Sequence, residues 1–319
     1  MTTARKQLVA VEATPYYHCV SRCVRQSFRC GTEKKTNISY EHRRDWIEQK
    51  LKDLALAYCI DICAYAIMSN HYHLILHINM NKAVKLPLQE VVRRWGLNHS
   101  LPELIKRWKN NELTSAAEEM RCIELIESWR NRLWNLSWFM KELNYDIACR
   151  ANQEDNCKGH FWESRFKSQA LLDEKALIAA MAYVDLNPIR SGIADTPEQS
   201  EHTSVRARLH AFKQNIITPS HLCPLIGNSN KKSSEYLPIK LLDYLCLIDW
   251  TARQFRKDKA SMDDSLPPIL ERLNFTQQRW FRVCTMLESS TATAIGRPVS
   301  TQTIKHHLGK TKIHIYSLD

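Results

Sequence analysis

Nowhere in the 319 residues does an apolar run reach the roughly 20 residues that a bilayer-spanning helix needs, so no membrane association is expected. Glycine is scarce, with seven residues in all, which argues against long flexible linkers. The eleven cysteines are an odd number and contain no C-x-x-C pair. The stretch Met1-Thr2-Thr3-Ala4-Arg5-Lys6 has no apolar segment of the kind an export signal carries. The thiols are therefore expected to be reduced and mostly buried, a structural zinc site is not expected, and the expected compartment is the cytoplasm. No G-x-x-x-x-G-K-[ST] phosphate loop is present, so nothing points to nucleotide hydrolysis. Internal repeats and low-complexity tracts are absent as well.

Charge is what the chain has in excess. Lysine and arginine number 45 against 34 aspartate and glutamate, a formal charge of +11. This balance favours a polyanionic partner without identifying one. Several of the cations are suggestively placed. Arg22 and Arg25 follow a first strand-like segment, Arg165 and Lys167 alternate along a later one, and Arg190 follows a helix. Trp162 and Phe166 lie beside these charges; they could stack on unpaired bases or belong to a core.

The most informative segment is Ala64–Ile78, which reads as two strands joined by a tight polar turn at Ser69-Asn70. Strand side chains alternate between faces. Tyr72, Leu74, Leu76 and Ile78 then point into a core, and His71, His73 and His77 point the other way. Two imidazoles two residues apart on one strand can grip a single metal ion. They can equally decorate a solvated strand face. A second segment, Asp173–Pro188, reads as a helix with Asp173 as N-cap, Glu174 in the first turn and an end enforced near Asn187 by Pro188. Leu177, Ala180, Met181 and Val184 form its buried stripe. Tyr183 sits at the stripe's edge, with Asn187 one turn later on the same side. The plain alternative is a half-buried boundary tyrosine and a helix-terminal asparagine.

The predicted element order is a strand at 16–22, a helix at 41–58, the hairpin 61–68 and 71–78, a largely helical stretch at 118–151, a strand at 165–172, and the Tyr183 helix. A helical insertion is expected at 86–114, whose Arg93, Arg94, Lys106, Arg107 and Lys109 could touch DNA or form a solvated face. The order fits an α+β fold of the ferredoxin-like, split βαβ sandwich type. A domain of residues 1–215 is expected, followed by a helical accessory region, 216–319. The loop-like Gly227–Ser234 lies near their junction, and helical patterns follow at 241–256, 266–287 and 300–308. The cluster Lys305, His306, His307, Lys310 and Lys312 allows a DNA-binding role for this region; a capping role is equally open.

Three ordered segments resemble motifs of one family. Met68-Ser69-Asn70-His71-Tyr72-His73 resembles the M-P-N-H-x-H signature of single-tyrosine transposases of the HUH type. Gly159-His160-Phe161-Trp162-Glu163-Ser164-Arg165-Phe166-Lys167-Ser168 resembles their G-x-x-W-x-x-R-F-K-S strand. Tyr183-Val184-Asp185-Leu186-Asn187-Pro188-Ile189-Arg190-Ser191-Gly192 resembles their Y-I-x-x-N-P-x-R-x-G. Tyr17-His18-Cys19-Val20-Ser21-Arg22 is similar to the family's first strand. The likeness covers residues 15–205 and is nearest to the REP-associated branch. Ser69 stands where the family usually has proline, which alters the turn and removes no reacting group.

The resemblance implies a function. Tyr183 would be the nucleophile that attacks a phosphodiester in single-stranded DNA, forming a 5′-phosphotyrosine and freeing a 3′-OH. A divalent metal, Mg or Mn, would be held by His71, His73 and the Asn187 oxygen. Arg22, Arg165, Lys167 and Arg190 would contact DNA. His77 is expected behind the ligands or against DNA rather than on the metal. The expected substrate is hairpin or palindromic DNA, and the expected state is a homodimer, as in the wider family, or a monomer. Two other readings stay open: a silent DNA-hairpin-binding protein on the same fold, and a metal-dependent nuclease without strand transfer.

Overall fold

The computed structural model describes residues 8–24, 27, 29–32, 37–226, 236–255, 266–287, 292–297, 305–306 and 313–318. Arg25, the 227–234 loop, and His307, Lys310 and Lys312 of the basic cluster lie outside the described residues. The fold is α+β, and among the described residues no helix is long and apolar enough to cross a membrane. All eleven cysteines are free thiols, and eight of them are buried.

The sheet has six strands: β1 (Tyr16–Arg22), β2 (Ile60–Ile67), β3 (His71–Ile78), β4 (Lys167–Leu171), β5 (Ala294–Ile295) and β6 (Ile315–Tyr316), in the order β2-β3-β1-β4-β5-β6. β1 is antiparallel to both β3 and β4, while β5 and β6 add parallel to the β4 edge. Met68 N–H donates to the His71 carbonyl at 2.8 Å and closes the β2-β3 turn. The β1 register places His18 opposite Ile75 and Gln169, Val20 opposite His73 and Lys167, and Arg22 opposite His71. Opposed residues share a face. Tyr16, His18, Val20, Arg22, His71, His73, His77, Lys167 and Gln169 therefore all belong to one face. Tyr17, Cys19, Tyr72, Leu74, Leu76 and Ala170 belong to the other, where all are buried.

The helices are α1 (His42–Ala57), α2 (Met80–Val84), α3 (Leu88–Gly96), α4 (Glu103–Lys109), α5 (Ala116–Leu133), α6 (Leu136–Glu154), α7 (Glu174–Asp185), α8 (Asn187–Arg190), α9 (Ser204–Lys213), α10 (Leu241–Phe255), α11 (Pro268–Arg272) and α12 (Gln277–Met286). The chain forms two compact units. The first gathers residues 1–45, 62–77 and 160–319; the second gathers 46–61 and 78–159. Residues on both sides of position 215 thus share the first unit.

In the second unit the expected insertion is α3 and α4, with a core of Val91, Val92, Trp95, Ile105, Ile126 and Trp129. The largely helical stretch expected at 118–151 consists of α5 and α6, the second capped by Asn135, which accepts from the Ser137 and Trp138 amides at 2.9 and 3.2 Å. Arg93 and Arg94 both bind Glu90, Lys106 binds Glu103, and Arg107 binds Glu118. Arg93, Arg94 and Lys106 are thus paired within their own helices and Arg107 with α5, which for these four favours the solvated-face reading over DNA contact.

In the first unit α7 differs from the expected amphipathic helix: every residue from Lys175 to Asp185 is buried. A helix apolar on all sides is covered on all sides. Tyr244, Leu247 and Ile248 of α10 and Trp280, Val283 and Cys284 of α12 belong to the same core as Leu177, Met181 and Val184. Asp173 caps α7, accepting from Ala176 N–H at 2.8 Å, and also accepts from Arg297 N–H at 2.9 Å. At the far end the buried Asp185 carboxylate accepts from Ser204 Oγ (2.6 Å), Val205 N–H (2.9 Å) and Tyr244 Oη (2.6 Å). Burial raises the Asp185 carboxyl's pKa, and those three donors oppose the rise. Asp185→Ala would orphan three buried donors, so it is expected to lower unfolding stability by at least about 3 kcal/mol, measured by chemical denaturation.

Candidate active site

Residues from β1 and β3 meet the α7 tyrosine. The Tyr183 ring is fully buried, edge-on to His73 with centroids 5.7 Å apart and to His18 at 6.1 Å. His71 and His73 lie 4.8 Å apart with their planes at 82°. Sheet alternation thus brings both histidines of the pair together, with His73 beside the phenol. Tyr183 is not the half-buried boundary residue of the plain alternative. The sequence placed it at the stripe's edge because the second layer, α10 and α12, is remote in sequence.

The hydrogen bonds constrain what the imidazoles can do. His71 Nδ1 donates to Asn70 Oδ1 at 2.5 Å, which leaves Nε2 with its lone pair. That Nε2 is buried and has no hydrogen-bond partner. His73 Nδ1 is bonded to His18 Nε2 at 3.0 Å. Burial pushes His71 down to about 3 and His18 to about 4, and holds His73 well below the ordinary histidine range. The Arg22 and Arg190 cations depress His71 and His73 further. All three rings are neutral at physiological pH, the form that binds metal.

Asn187 opens α8 four residues after Tyr183 and is buried. Its Oδ1 accepts from Ser191 Oγ at 3.4 Å, and its Nδ2 is buried without a partner. Either orientation of the amide leaves one head atom unsatisfied. Among the described residues no three His, Cys, Asp or Glu side chains come together as metal ligands. Two neutral imidazoles with their Nδ1 atoms tied behind them, and an unsatisfied buried amide, are nevertheless donor types that suit a divalent ion.

Arg190 is the group on the phenol. Its Nη2 donates to Tyr183 Oη at 2.9 Å, and its guanidinium lies 4.2 Å from the ring centroid. Its Nη1 donates to the carbonyls of Cys284 (3.1 Å) and Thr285 (3.0 Å) near the end of α12. Burial raises the Tyr183 pKa, while Arg190 and then Arg22 oppose the rise. The expected DNA-contacting Arg190 is thus placed on the candidate nucleophile and tied to α12.

The other expected DNA contacts are spread out. Arg22 pairs with His71 across the sheet. Lys167 is exposed at the start of β4. Arg165 is exposed just before the strand and so does not alternate with Lys167 along it. Trp162 and Phe166 are buried, and Trp162 packs edge-on to Tyr72 and Phe161, so the core reading holds for both. His77 is buried and stacks on Tyr16 at 4.7 Å. Sequence reasoning passed over His18 and Gln169. The period-two alternation of β1 could have put His18 on the face of Arg22, but only the register brings it against His73.

No protein-family model matches the sequence, and no curated protein matches it. A solved structure of a REP-associated tyrosine transposase bound to a REP hairpin is similar at 13% identity, with a TM-score of 0.37, over 75% of this chain and 99% of that one. A likeness this loose says nothing about chemistry, which rests on the side chains.

Buried neutral histidines make stability depend on pH. In the unfolded chain such rings titrate near 6.5, whereas His18 and His71 stay neutral in the fold down to about 4 and 3. Stability is therefore full above about pH 6.5 and falls as acid takes the pH through that window. Thermal melts between pH 7 and pH 4 should show the fall, and His18→Gln should make it shallower.

Proposed function

We propose that the chain is a divalent-metal-dependent enzyme that cleaves and rejoins single-stranded DNA through Tyr183, with hairpin or palindromic DNA as substrate. The observation that carries this reading is the packing of Tyr183, capped at its hydroxyl by Arg190, directly against His73, whose ring is in turn edge-on to the half-buried His71. The antiparallel order β2-β3-β1-β4 supports a split βαβ core beneath the site. The motif resemblance supplies the substrate, and the +11 charge suits it.

In the proposed reaction Tyr183 Oη attacks phosphorus. The O–P bond to tyrosine forms as the bond to the 3′-oxygen breaks. The phenol loses a proton and the leaving 3′-oxygen gains one, so the exchange is a balanced transesterification and needs no nucleotide cofactor. The reverse step, with a 3′-OH from the same or another strand, reseals the DNA. A free phenol has a pKa of about 10 and is a weak nucleophile at neutral pH. Arg190 and Arg22 favour its ionised form, and Arg190 can hold the phenolate's oxygen. His71, His73 and Asn187 would hold the metal. Bound there, the ion would supply Lewis-acid polarisation of the phosphoryl oxygen.

One observation favours a second reading. Tyr183 is 0% exposed, so as it stands it cannot meet a phosphodiester. Cleavage requires that Arg190 or the α12 end it is tied to give way. A protein that never opens would bind hairpins silently.

The test is a denaturing gel with labelled single-stranded hairpin oligonucleotides in Mn²⁺ and in EDTA. An SDS-resistant adduct is expected in Mn²⁺ only, abolished in Tyr183→Phe with hairpin affinity within about twofold of wild type. An adduct surviving in Tyr183→Phe moves the nucleophile elsewhere, and one formed in EDTA removes the metal. Tight binding without any adduct supports the silent protein. Arg165→Ala is expected to weaken binding and lower the salt slope by about 1; an unchanged slope would remove Arg165 from the DNA contacts.

A further inference from the structure

The sheet face behind His73 carries two polar side chains that the proposed reaction does not use, His18 of β1 and Gln169 of β4. They stand directly opposite each other in the register, and both lie on the His73 face. Three hydrogen bonds join them in series. Gln169 Nε2 donates to the Ala292 carbonyl at 3.0 Å. His18 Nδ1 meets Gln169 Oε1 at 3.0 Å. His18 Nε2 meets His73 Nδ1 at 3.0 Å, with the two ring planes only 17° apart, as an edge-to-edge bond in a nearly common plane requires.

The direction of every bond follows from the first. A backbone carbonyl only accepts, so the Gln169 head that faces Ala292 is its NH₂ group. The opposite head is then the carbonyl oxygen, which also only accepts. His18 Nδ1 must donate to it and so carries that ring's single proton. His18 Nε2 is left as an acceptor, and His73 Nδ1 must donate to it. His73 Nε2 then carries no proton. One backbone carbonyl, close to β5, thus sets the tautomer of a candidate ligand three links away.

We propose that His18 and Gln169 are positioning residues that lock His73 in the Nδ1–H tautomer, so that its Nε2 presents a lone pair for a divalent metal ion. His18 serves His73 as Asn70 serves His71, so each imidazole of the pair has its Nδ1 proton held from behind. This rests on the reading of His71 and His73 as metal ligands. Partners that orient a ligating histidine commonly change metal affinity about 10–100-fold when removed. His18 fills that position with a second histidine in place of the more usual carboxylate or backbone carbonyl, and so adds no negative charge to the site.

The experiment pairs two readouts on the full chain. Long-range ¹H–¹⁵N spectra of the metal-free protein report which ring nitrogen of His18 and His73 is protonated, and Mn²⁺ titration calorimetry reports affinity. Wild type should show Nδ1–H at both residues. His18→Phe, which keeps the ring volume and loses the acceptor, should bind Mn²⁺ about 10–100-fold more weakly. Gln169→Met should let His18 and His73 populate both tautomers. His18→Gln, whose side-chain oxygen reaches near the place of Nε2, should restore most of the affinity. An Nε2–H His73 in the metal-free wild type overturns the relay even if every variant misfolds. Equal Mn²⁺ affinity in wild type and a folded His18→Phe overturns it as well. If wild type shows the expected tautomers but takes up no Mn²⁺, the metal reading is what fails, and the relay's purpose fails with it.

Discussion

The antiparallel register between β1 and its two neighbours is the constraint on which the rest of the site depends. It sets Arg22 against His71, Val20 against His73, and His18 against both Ile75 and Gln169. Side-chain direction alternates with period two, so a slip of one residue would turn every one of these groups to the opposite face. That face is closed: Tyr17, Cys19, Tyr72, Leu74 and Leu76 fill it with apolar volume. The core on one side of the sheet therefore fixes the polar chemistry on the other. Two buried imidazoles and the half-buried His71 can gather here only because they are neutral and each has a polar neighbour bonded to a ring nitrogen.

The tyrosine helix depends on a different constraint. A helix buried on every side has no solvated face to orient it, so its rotation must be set at its ends. Asp173 holds the first turn, and Asp185 holds the last through three donors from α9 and α10. Between them Tyr183 faces His73, and Arg190 closes over its hydroxyl while spanning to the end of α12. The same contacts that aim the phenol also cover it. Stability of the arrangement and access to a large substrate are thus opposed, and the opposition is concentrated in one arginine.

Much of this is legible in the sequence where the pattern is local. The 16–22 strand, the 71–78 strand and the two-residue polar turn between the hairpin strands follow from alternation and turn chemistry. The α7 N-cap at Asp173 follows from residue type. The shared face of His71 and His73 needs nothing beyond a period of two. Other features depend on pairing. Strands β5 and β6 are two residues long, too short to display any period, and exist only because β4 accepts β5 and β5 accepts β6. Trp162 and Phe166 read equally as stacking platforms or as core until Tyr72 and Phe161 are brought beside Trp162. Arg93, Arg94, Lys106 and Arg107 of the insertion look free in sequence, yet each lies against an acid three, four or eleven residues away, with Glu90 shared by the first two.

By itself the sequence determined the α+β class, the histidine pair on one strand face, the tyrosine on a capped helix, and the excess of positive charge. These are properties of neighbours along the chain, set by alternation, helical period and composition. Tertiary structure alone decided that Tyr183 is wholly buried, that Arg190 is tied to the end of α12, and that His18 and Gln169 stand behind His73. The ties of Arg190 to α12, of His18 to His73 and Gln169, and of Gln169 to Ala292 join residues 55 to 151 positions apart, and no local rule of spacing encodes which side chains a register or a packed layer will bring together.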